Sequence, residues 1–300
     1  MNRIYILQNE LQELRKLLVE DKYYSKAKIW NGIQVFLVVF GSSVLSLIAV
    51  LYEKWGPYAA IYGVIVTILD FYLFDPNISR LKKRGAVVRE CFDLDVLSLA
   101  SSPFREANIP IEEIVAISNP LPAAQKKNKI DWYPIAIKEL PVEPARLICQ
   151  RSSMQYDERL RNSFRYLWIG LVATIVASLI TWLILKNPDF YHVAVVSAAI
   201  LPAFLFCVKQ NQLNEEACSK IADMRAFFDN AWQEALSTNT LPNALTESSR
   251  QIQDELFDHR SQRPLVPNFY YRLKRGQNEQ IMNEAAEDYV KKYKVAHNIP

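Results

Sequence analysis

The chain has 300 residues, 35 of them basic and 32 acidic, and the formal net charge of +3 is too small to indicate a DNA or RNA polymer as partner. Half of the residues are hydrophobic although the mean hydropathy is near zero, so the apolar residues must be concentrated in certain stretches of the chain. The four cysteines and three histidines are scattered, which argues against a disulfide framework and predicts no metal site.

Four apolar runs occupy residues 36–51, 58–74, 166–185 and 192–208. Each is long enough to cross the hydrocarbon core as a helix, because lipid cannot hydrogen-bond an open backbone. Two short loops join the runs into two pairs, and a long polar segment separates the pairs. The pattern predicts an all-α membrane protein with four transmembrane helices in two hairpins and a mostly helical cytoplasmic domain.

Taken in chain order, the predicted organisation has five segments. They are a cytoplasmic N-terminal helix (1–30), the first transmembrane hairpin (31–75), a first cytoplasmic-domain segment (76–165), the second transmembrane hairpin (166–209) and a second cytoplasmic-domain segment (210–300). Within the polar segments, Pro110 is placed to begin one helix and Pro144 a long helix that enters the third run. Helical spacing also predicts helices at 251–259 and 279–293.

Basic residues indicate the orientation in the membrane. Arginine and lysine cluster before the first run, after the second and before the third, whereas the two hairpin loops carry only Lys54 and Lys186. Positive charge marks the cytoplasmic flank of a membrane helix. Both termini and the polar middle segment are therefore predicted to be cytoplasmic.

Few polar side chains occur inside the runs. Asp70 lies one turn from the cytoplasmic end of the second run, where it is either a hydrated carboxylate or a member of an ion relay. Ser42 and Ser46 share a face of the first run, and with Asp70 they are the pore-lining candidates. An equally good interpretation bonds these hydroxyls back to their own helix. Small residues recur four apart in the third run, at Gly170, Thr174 and Ser178, which predicts helix packing and self-association.

Signals of catalysis are missing from the sequence. The glycines do not form a phosphate-binding loop of either common spacing, and no serine or cysteine lies in a recognised nucleophile motif. The sequence therefore predicts a protein that is not an enzyme and uses no cofactor.

A group of aromatic and basic residues in the polar segments suits a nucleotide ligand, because aromatic rings stack on bases and arginines bind phosphates. The candidates are Trp132, Tyr133, Arg151, Arg159, Arg161, His259 and Arg260. The same residue types also serve as core anchors and as interhelical arginine–aspartate bridges. Taken alone, the residues favour this second interpretation.

The order of the polar motifs resembles the SMODS-associated four-transmembrane effector family of bacterial CBASS anti-phage operons, over nearly the whole chain. The motifs are Gln8-Asn9, Tyr24 with Lys28, Glu90-Cys91-Phe92-Asp93, Asp131-Trp132-Tyr133-Pro134, Cys149-Gln150-Arg151, Asp157 with Leu160-Arg161, Gln253-Asp254-Glu255 and His259-Arg260. The chain departs from the pattern at two positions. Leu99-Ala100-Ser101 stands where a tryptophan is usual, and Tyr156 replaces another tryptophan.

The resemblance implies a function that the residues alone do not. Such effectors act downstream of a synthase that makes a cyclic di- or trinucleotide on infection. The effector senses this signal in the cytoplasm and permeabilises the bacterial inner membrane as a homo-oligomer, which causes growth arrest or abortive infection. Two alternatives remain open: a constitutive ion channel or small-solute transporter that depends on Asp70, and a membrane-anchored scaffold.

Overall fold

The computed structural model describes residues 2–102, 109–120, 128–237 and 241–299. The described portion is 87% helical and contains no strand, which confirms the predicted all-α class. The helices are α1 (Ile4–Leu7), α2 (Leu11–Leu51), α3 (Glu53–Leu97), α4 (Ile111–Ser118), α5 (Val142–Lys186), α6 (Phe190–Leu236), α7 (Pro242–Gln262) and α8 (Asn268–Ala296). Some residues of the predicted segments 76–165 and 210–300 lie outside the described ranges.

Helices α2, α3, α5 and α6 carry the four apolar runs and are long and apolar enough to cross a membrane, as predicted. Each has 41 to 47 residues, so the apolar run is only one end of a longer rod. A helix of this length measures about 60–70 Å, roughly twice the hydrocarbon thickness of a bilayer. The same helices therefore build an apolar bundle, formed by the four runs, and a polar body, formed by the rest.

The predicted helices of the body are present and mostly longer than their apolar pattern suggests. Helix α4 follows Pro110 as predicted, and α5 begins at Val142, two residues ahead of Pro144. Helices α7 and α8 extend well beyond 251–259 and 279–293. The buried side chains of their additional turns are mostly polar, namely Ser249, Arg260 and Asn278 beside Leu245, so no apolar periodicity marks these turns in the sequence.

Two π-helical turns interrupt the first hairpin. One spans Phe36–Gly41 at the start of the first run, and the other spans Asp70–Phe74 at the end of the second. Because the hairpin is antiparallel, both turns lie at the end of the bundle that faces the body. Gln34 Nε2 donates to Asp70 Oδ1 at 2.5 Å and so connects α2, just before its π-helical turn, to the start of the π-helical turn in α3. Turns of this kind frequently mark functional sites, since they loosen the regular ladder.

The fourth run lies at the centre of the bundle and the third at its edge. Of the most apolar stretch, 39% is buried in α6 but only 6% in α5. Pro202 in α6 has no N–H to donate to the carbonyl of Ala198, and that carbonyl faces Gly63 of α3. A Cβ at Gly63 would lie 2.9 Å from this oxygen, so glycine is required for the close approach.

One large apolar core holds the body together. It is built mainly from α3, α5, α6, α7 and α8, with Phe92, Ile148 and Phe228 among its fully buried side chains. The rings of Phe228 and Trp232 stack at 6.0 Å on one side of this core. The polar clusters described next are embedded in or against this apolar framework.

Candidate functional site

A fully buried aspartate in α3 organises the centre of the body. Asp93 Oδ1 accepts from Arg89 Nε at 2.9 Å and from the Tyr133 hydroxyl at 2.7 Å. Its Oδ2 accepts from Arg260 Nη1 at 2.5 Å and from Gln253 Nε2 at 3.0 Å. Burial alone would raise the pKa of Asp93, but the charges of Arg89 and Arg260 hold it below the usual value. We call these five residues the Asp93 cluster.

Sequence motifs that lie far apart along the chain meet around this cluster. Gln253 also donates to Glu90 Oε2 at 2.7 Å and accepts from Gln150 at 3.2 Å. The side-chain amide of Gln8 pairs with the backbone N–H and carbonyl of Tyr133, at 2.7 and 3.3 Å. Each motif supplies a buried polar group together with its partner, which is the requirement for placing polar groups inside a core.

A second buried aspartate lies in α5, closer to the apolar bundle. Asp157 Oδ2 accepts from Arg161 Nε at 2.7 Å and from His259 Nε2 at 2.6 Å, and Oδ1 pairs with Arg263 at 2.7 Å. Arg161 also donates to the carbonyl of Pro264 at 3.1 Å, which fixes the α7–α8 connection. Although burial opposes it, the two arginines hold the pKa of Asp157 well below its usual value. These residues form the Asp157 cluster.

The Asp157 cluster borders a cavity of about 480 Å³ between the body and the bundle. Its walls are the stretches of α2, α3 and α6 that adjoin their apolar runs on the body side, together with the end of α7 and the α7–α8 connection. The volume falls in the range of about 300–1,000 Å³ that is typical of ligand sites. We call this space the junction cavity.

The junction cavity is predominantly basic. Its acidic lining residues are Asp75 and Glu216, whereas five lining residues are lysine or arginine, namely Lys82, Lys83, Lys209, Lys220 and Arg263. Lys209 pairs with Asp75, and Lys220 donates to the side chain of Gln262 at 2.8 Å. The remaining positive charge faces a partly enclosed space, where an anion would be stabilised more strongly than in water.

Lys82 shows how much positive charge the cavity holds. Its Nζ donates to the carbonyls of Gln262 and Arg263, at 2.8 and 3.1 Å. Burial, followed by the charges of Arg161 and Arg263, lowers the pKa of Lys82 to about 8. A bound anion would offset these charges and raise the pKa of Lys82 toward its ordinary value.

His259 offers the cavity a hydrogen-bond acceptor. Burial lowers its pKa to about 4, so the ring is neutral at pH 7 and its Nε2–H donates to Asp157. Nδ1 then carries a lone pair, and this atom is buried without a hydrogen-bond partner among the described residues. His259 lines the junction cavity but Nδ1 itself is buried, so a hydroxyl or amine donor bound there would satisfy this atom only after the ring turns toward the cavity.

Three of the predicted ligand residues lie in or beside the Asp93 cluster. Tyr133 and Arg260 are buried there and bound to Asp93. Trp132 is partly buried, and its ring lies 4.6 Å from the guanidinium of Arg89 and 4.7 Å from Nζ of Lys129. None of the three lines the junction cavity. Arg260 and Asp93 form an interhelical bridge, the kind of pair that the second interpretation describes.

The other four predicted residues are divided between the Asp157 cluster and two further positions. Arg161 and His259 belong to that cluster, and of the two His259 lines the cavity. Arg151 is buried with its guanidinium 5.6 Å from the ring of Phe228, and its Nε and Nη1 have no partner within the described ranges. Arg159 is exposed, because residues two apart on a helix point to opposite sides. The seven residues therefore do not share one pocket.

The predicted pore-lining residues lie inside the bundle. Ser42 is fully buried, and Ser46 Oγ donates to the carbonyl of Val196 in α6 at 3.4 Å. Asp70 accepts from Gln34 beside the junction cavity. A water path past both serines requires the first and fourth runs to separate.

The cavity-lining lysines were not among the predicted ligand residues. Lys82 and Lys83 were counted only as markers of orientation, which they resemble because they follow an apolar run. A different feature of the sequence does indicate the cavity. Polar residues such as Gln34 and Asp75 stand within a turn of the apolar runs, where an inward-facing polar side chain requires a partner or a ligand.

Comparison with known proteins gives one match. The family model described as the SMODS-associating 4TM effector domain matches residues 2–289, nearly the whole chain. No curated protein and no solved structure matches the chain. Across the residues that the structure describes, no group of three His, Cys, Asp or Glu residues is arranged to hold a metal ion.

Proposed function

We propose that this chain, which belongs to the SMODS-associating 4TM effector family associated with CBASS anti-phage systems, is a membrane effector switched on by a cyclic oligonucleotide. The family association and the membrane helices fit a functional link to a cyclic-oligonucleotide synthase. One observation supports the ligand class above the others: a basic, partly enclosed cavity lies where the body meets the bundle.

The chemistry of the junction cavity matches such a ligand. A cyclic di- or trinucleotide carries one negative charge for each phosphodiester group, and Lys82, Lys83 and Lys220 are placed to neutralise them. The ligand also carries ribose hydroxyls or exocyclic amines, and either group would donate to Nδ1 of His259 once binding turns this buried, unpaired atom toward the cavity. Arg161 serves indirectly, because its bonds to Asp157 and Pro264 hold one wall of the cavity in place.

The position of the cavity explains how binding would reach the membrane. A ligand shifts an equilibrium only when it prefers one of two arrangements. In the free protein burial and then the charges of Arg161 and Arg263 lower the pKa of Lys82, and an anion favours an arrangement that draws the basic side chains together. Gln34 lines the cavity and donates to Asp70 and Asp75 at 2.5 and 2.9 Å, on either side of a π-helical turn. A shift there passes directly into two of the four runs.

The output is permeabilisation of the bacterial inner membrane by an oligomer, with both termini on the cytoplasmic side. In this orientation the junction cavity lies on the cytoplasmic side of the membrane, and the nucleotide is made in the cytoplasm. The third run is mostly exposed within one chain and presents Gly170, Thr174 and Ser178 on one face. Small residues at this spacing let helices of neighbouring subunits pack closely. The protein acts by rearrangement and not by catalysis.

The test is dye release from liposomes that contain the full-length protein, with and without a panel of cyclic di- and trinucleotides. We expect release with at least one nucleotide and loss of that response in Lys83→Gln/Lys220→Gln, which removes two exposed cavity charges. Lys291→Gln/Lys292→Gln removes the same charge about 35 Å along α8 from the cavity and should respond normally. Nucleotide affinity is measured on the same folded preparations.

The outcomes separate the competing functions. Release that is independent of nucleotide and abolished in Asp70→Asn would support the constitutive channel or transporter. Absence of both release and nucleotide binding across the panel would leave the scaffold. Binding that is unchanged in Lys83→Gln/Lys220→Gln would show that the nucleotide is held outside the junction cavity.

A further inference from the structure

A second cavity, of about 340 Å³, lies between α2 and α3 on the side of the first hairpin away from α6. Three of its lining residues are basic, and none is acidic. The basic residues are Lys26, Arg80 and Arg84, accompanied by the aromatic rings of Tyr23 and Trp30 and by Ile29. We call this feature the hairpin groove.

The hairpin groove lies at the depth of lipid headgroups. Trp30 packs edge-on against Phe74, the last residue of the second run, with ring centroids 6.1 Å apart. At 1.5 Å per residue, Asn77 and Arg80 stand about 5 and 9 Å beyond Phe74 along α3. The headgroup layer on each side of the hydrocarbon is about 5–8 Å thick. The membrane end of the groove therefore opens into that layer.

An apolar strip leads from the groove toward the hydrocarbon. Ile29 lines the groove and is 64% exposed, and on the same face of α2 follow Ile33, 44% exposed, and Phe36, 60% exposed. A water-soluble anion would gain nothing from this strip. A phospholipid would lay an acyl chain along it while its phosphate stays among the basic residues.

Two of the three charges are available to a ligand. Arg84 is already paired with Glu113 over 2.6 Å. Lys26 and Arg80 make no ion pair or hydrogen bond with any other residue that the structure describes, and Arg80 is exposed at the membrane end. Two lysine or arginine side chains near the surface attract an anionic lipid by electrostatics alone, and the groove adds shape to that attraction.

We propose that the hairpin groove binds the headgroup of an anionic phospholipid. The phosphate lies between Lys26 and Arg80, the indole of Trp30 lies at the level of the glycerol, and an acyl chain follows Ile29, Ile33 and Phe36. Bound lipid holds the segments of α2 and α3 that line the groove at the membrane surface. The first hairpin therefore keeps a fixed depth in the bilayer at this point.

The test is lipid binding to the full-length protein in detergent, followed by native mass spectrometry. Phosphatidylglycerol is compared with phosphatidylcholine of the same acyl chains. We expect selective retention of phosphatidylglycerol and about 25-fold weaker binding in Lys26→Gln/Arg80→Gln, about fivefold for each lost charge. Lys291→Gln/Lys292→Gln is the charge-matched control and should bind normally. Because Lys26 and Arg80 have no partner in the described chain, their replacement leaves the fold intact, which the melting temperature checks.

Two results would overturn the proposal. One is equal retention of phosphatidylglycerol by Lys26→Gln/Arg80→Gln and the unmodified protein. The other is displacement of the lipid by sn-glycerol 3-phosphate at equal concentration, which would identify a site for soluble phosphate compounds with no role for the acyl chain.

Discussion

The Asp93 and Asp157 clusters use the same chemistry in two different settings. Each consists of a buried aspartate, an arginine one helical turn away and one of two consecutive residues of α7, Arg260 or His259. Asp93 is sealed within the core and its two oxygens accept four hydrogen bonds. Asp157 borders the junction cavity through His259 and Arg263.

The difference shows how one helical body combines a cluster that holds its helices rigidly with a cluster that can rearrange on binding. Asp93 is fully buried and accepts four hydrogen bonds from other described residues, so its cluster holds α3 and α7 together. The Asp157 cluster retains an unsatisfied ring nitrogen on His259, and Lys82 with a lowered pKa stands beside it. An incoming anion would therefore act on the second cluster and leave the first unchanged.

The largest expected effect is on the sealed cluster. Asp93→Asn removes the countercharge of Arg260 and leaves Arg89 with Glu20 alone, 3.5 Å away, which should lower the free energy of unfolding by about 3–5 kcal/mol. Denaturant unfolding in detergent measures this loss. Asp223→Asn, an exposed change of the same type, should stay within about 0.5 kcal/mol. A loss below about 1 kcal/mol for Asp93→Asn would show that the cluster does not hold α3 and α7 together.

The next effect distinguishes the two clusters directly. Asp157→Asn should lower the free energy of unfolding by about 1–3 kcal/mol, since water or an anion in the cavity can compensate Arg263, which lines it. Inorganic phosphate should restore some of the lost melting temperature in Asp157→Asn and none in Asp93→Asn. If phosphate restored both variants, or neither, the two clusters would not differ in the way described.

A third effect is the pH dependence of nucleotide binding. The pKa of Lys82 is about 8 in the free protein because of burial and the nearby Arg161 and Arg263, and a bound anion raises it. The affinity for the nucleotide therefore has its full value below about pH 8 and declines as the pH rises above that value. Titration calorimetry between about pH 7 and about pH 9.5 measures this slope.

Two variants locate the origin of that slope. Lys82→Gln should bind more weakly and with no slope in this range. Lys28 has a pKa of about 8 as well, caused mainly by burial, but lies outside the cavity lining. Lys28→Gln should therefore keep the slope, and its loss there would move the titrating group away from the junction cavity.

The smallest expected effect is on the outer face of α5. Arg159 is exposed two residues from Asp157, so Arg159→Gln should change stability by less than about 0.5 kcal/mol and leave nucleotide affinity unchanged. The comparison is with Arg161→Gln, which faces the cluster and should weaken both. Loss of binding in Arg159→Gln alone would place the ligand on the opposite side of the helix.

Much of the fold was accessible from the sequence for simple physical reasons. Apolar runs such as 166–185 have one stable solution in lipid, and Pro110 marks a helix start that the structure confirms. The full length of α2, α3, α5 and α6 was less accessible, because a helix that leaves the membrane loses its apolar signal while the backbone continues. The π-helical turns have no sequence marker at all.

The candidate site was accessible only to a limited extent. Motif order identified Asp93, Tyr133, Gln253 and Arg260 as special, yet it carries no information on whether a side chain faces a core partner or a ligand. Tyr133, for example, was predicted to stack on a ligand base, and the structure places it in the core with its hydroxyl on Asp93. The junction cavity depends on tertiary geometry, since its walls come from four separate segments of the chain.

The most direct test is a structure of the full-length protein in lipid nanodiscs with and without an activating cyclic oligonucleotide. The account predicts ligand density in the junction cavity, with phosphates beside Lys82 and Lys83, an intact Asp93 cluster and a changed contact between Gln34 and Asp70. Two results would contradict it. One is ligand density beside Trp132 with the junction cavity empty. The other is ligand in the cavity with no movement of the parts of α2, α3 and α6 that line it.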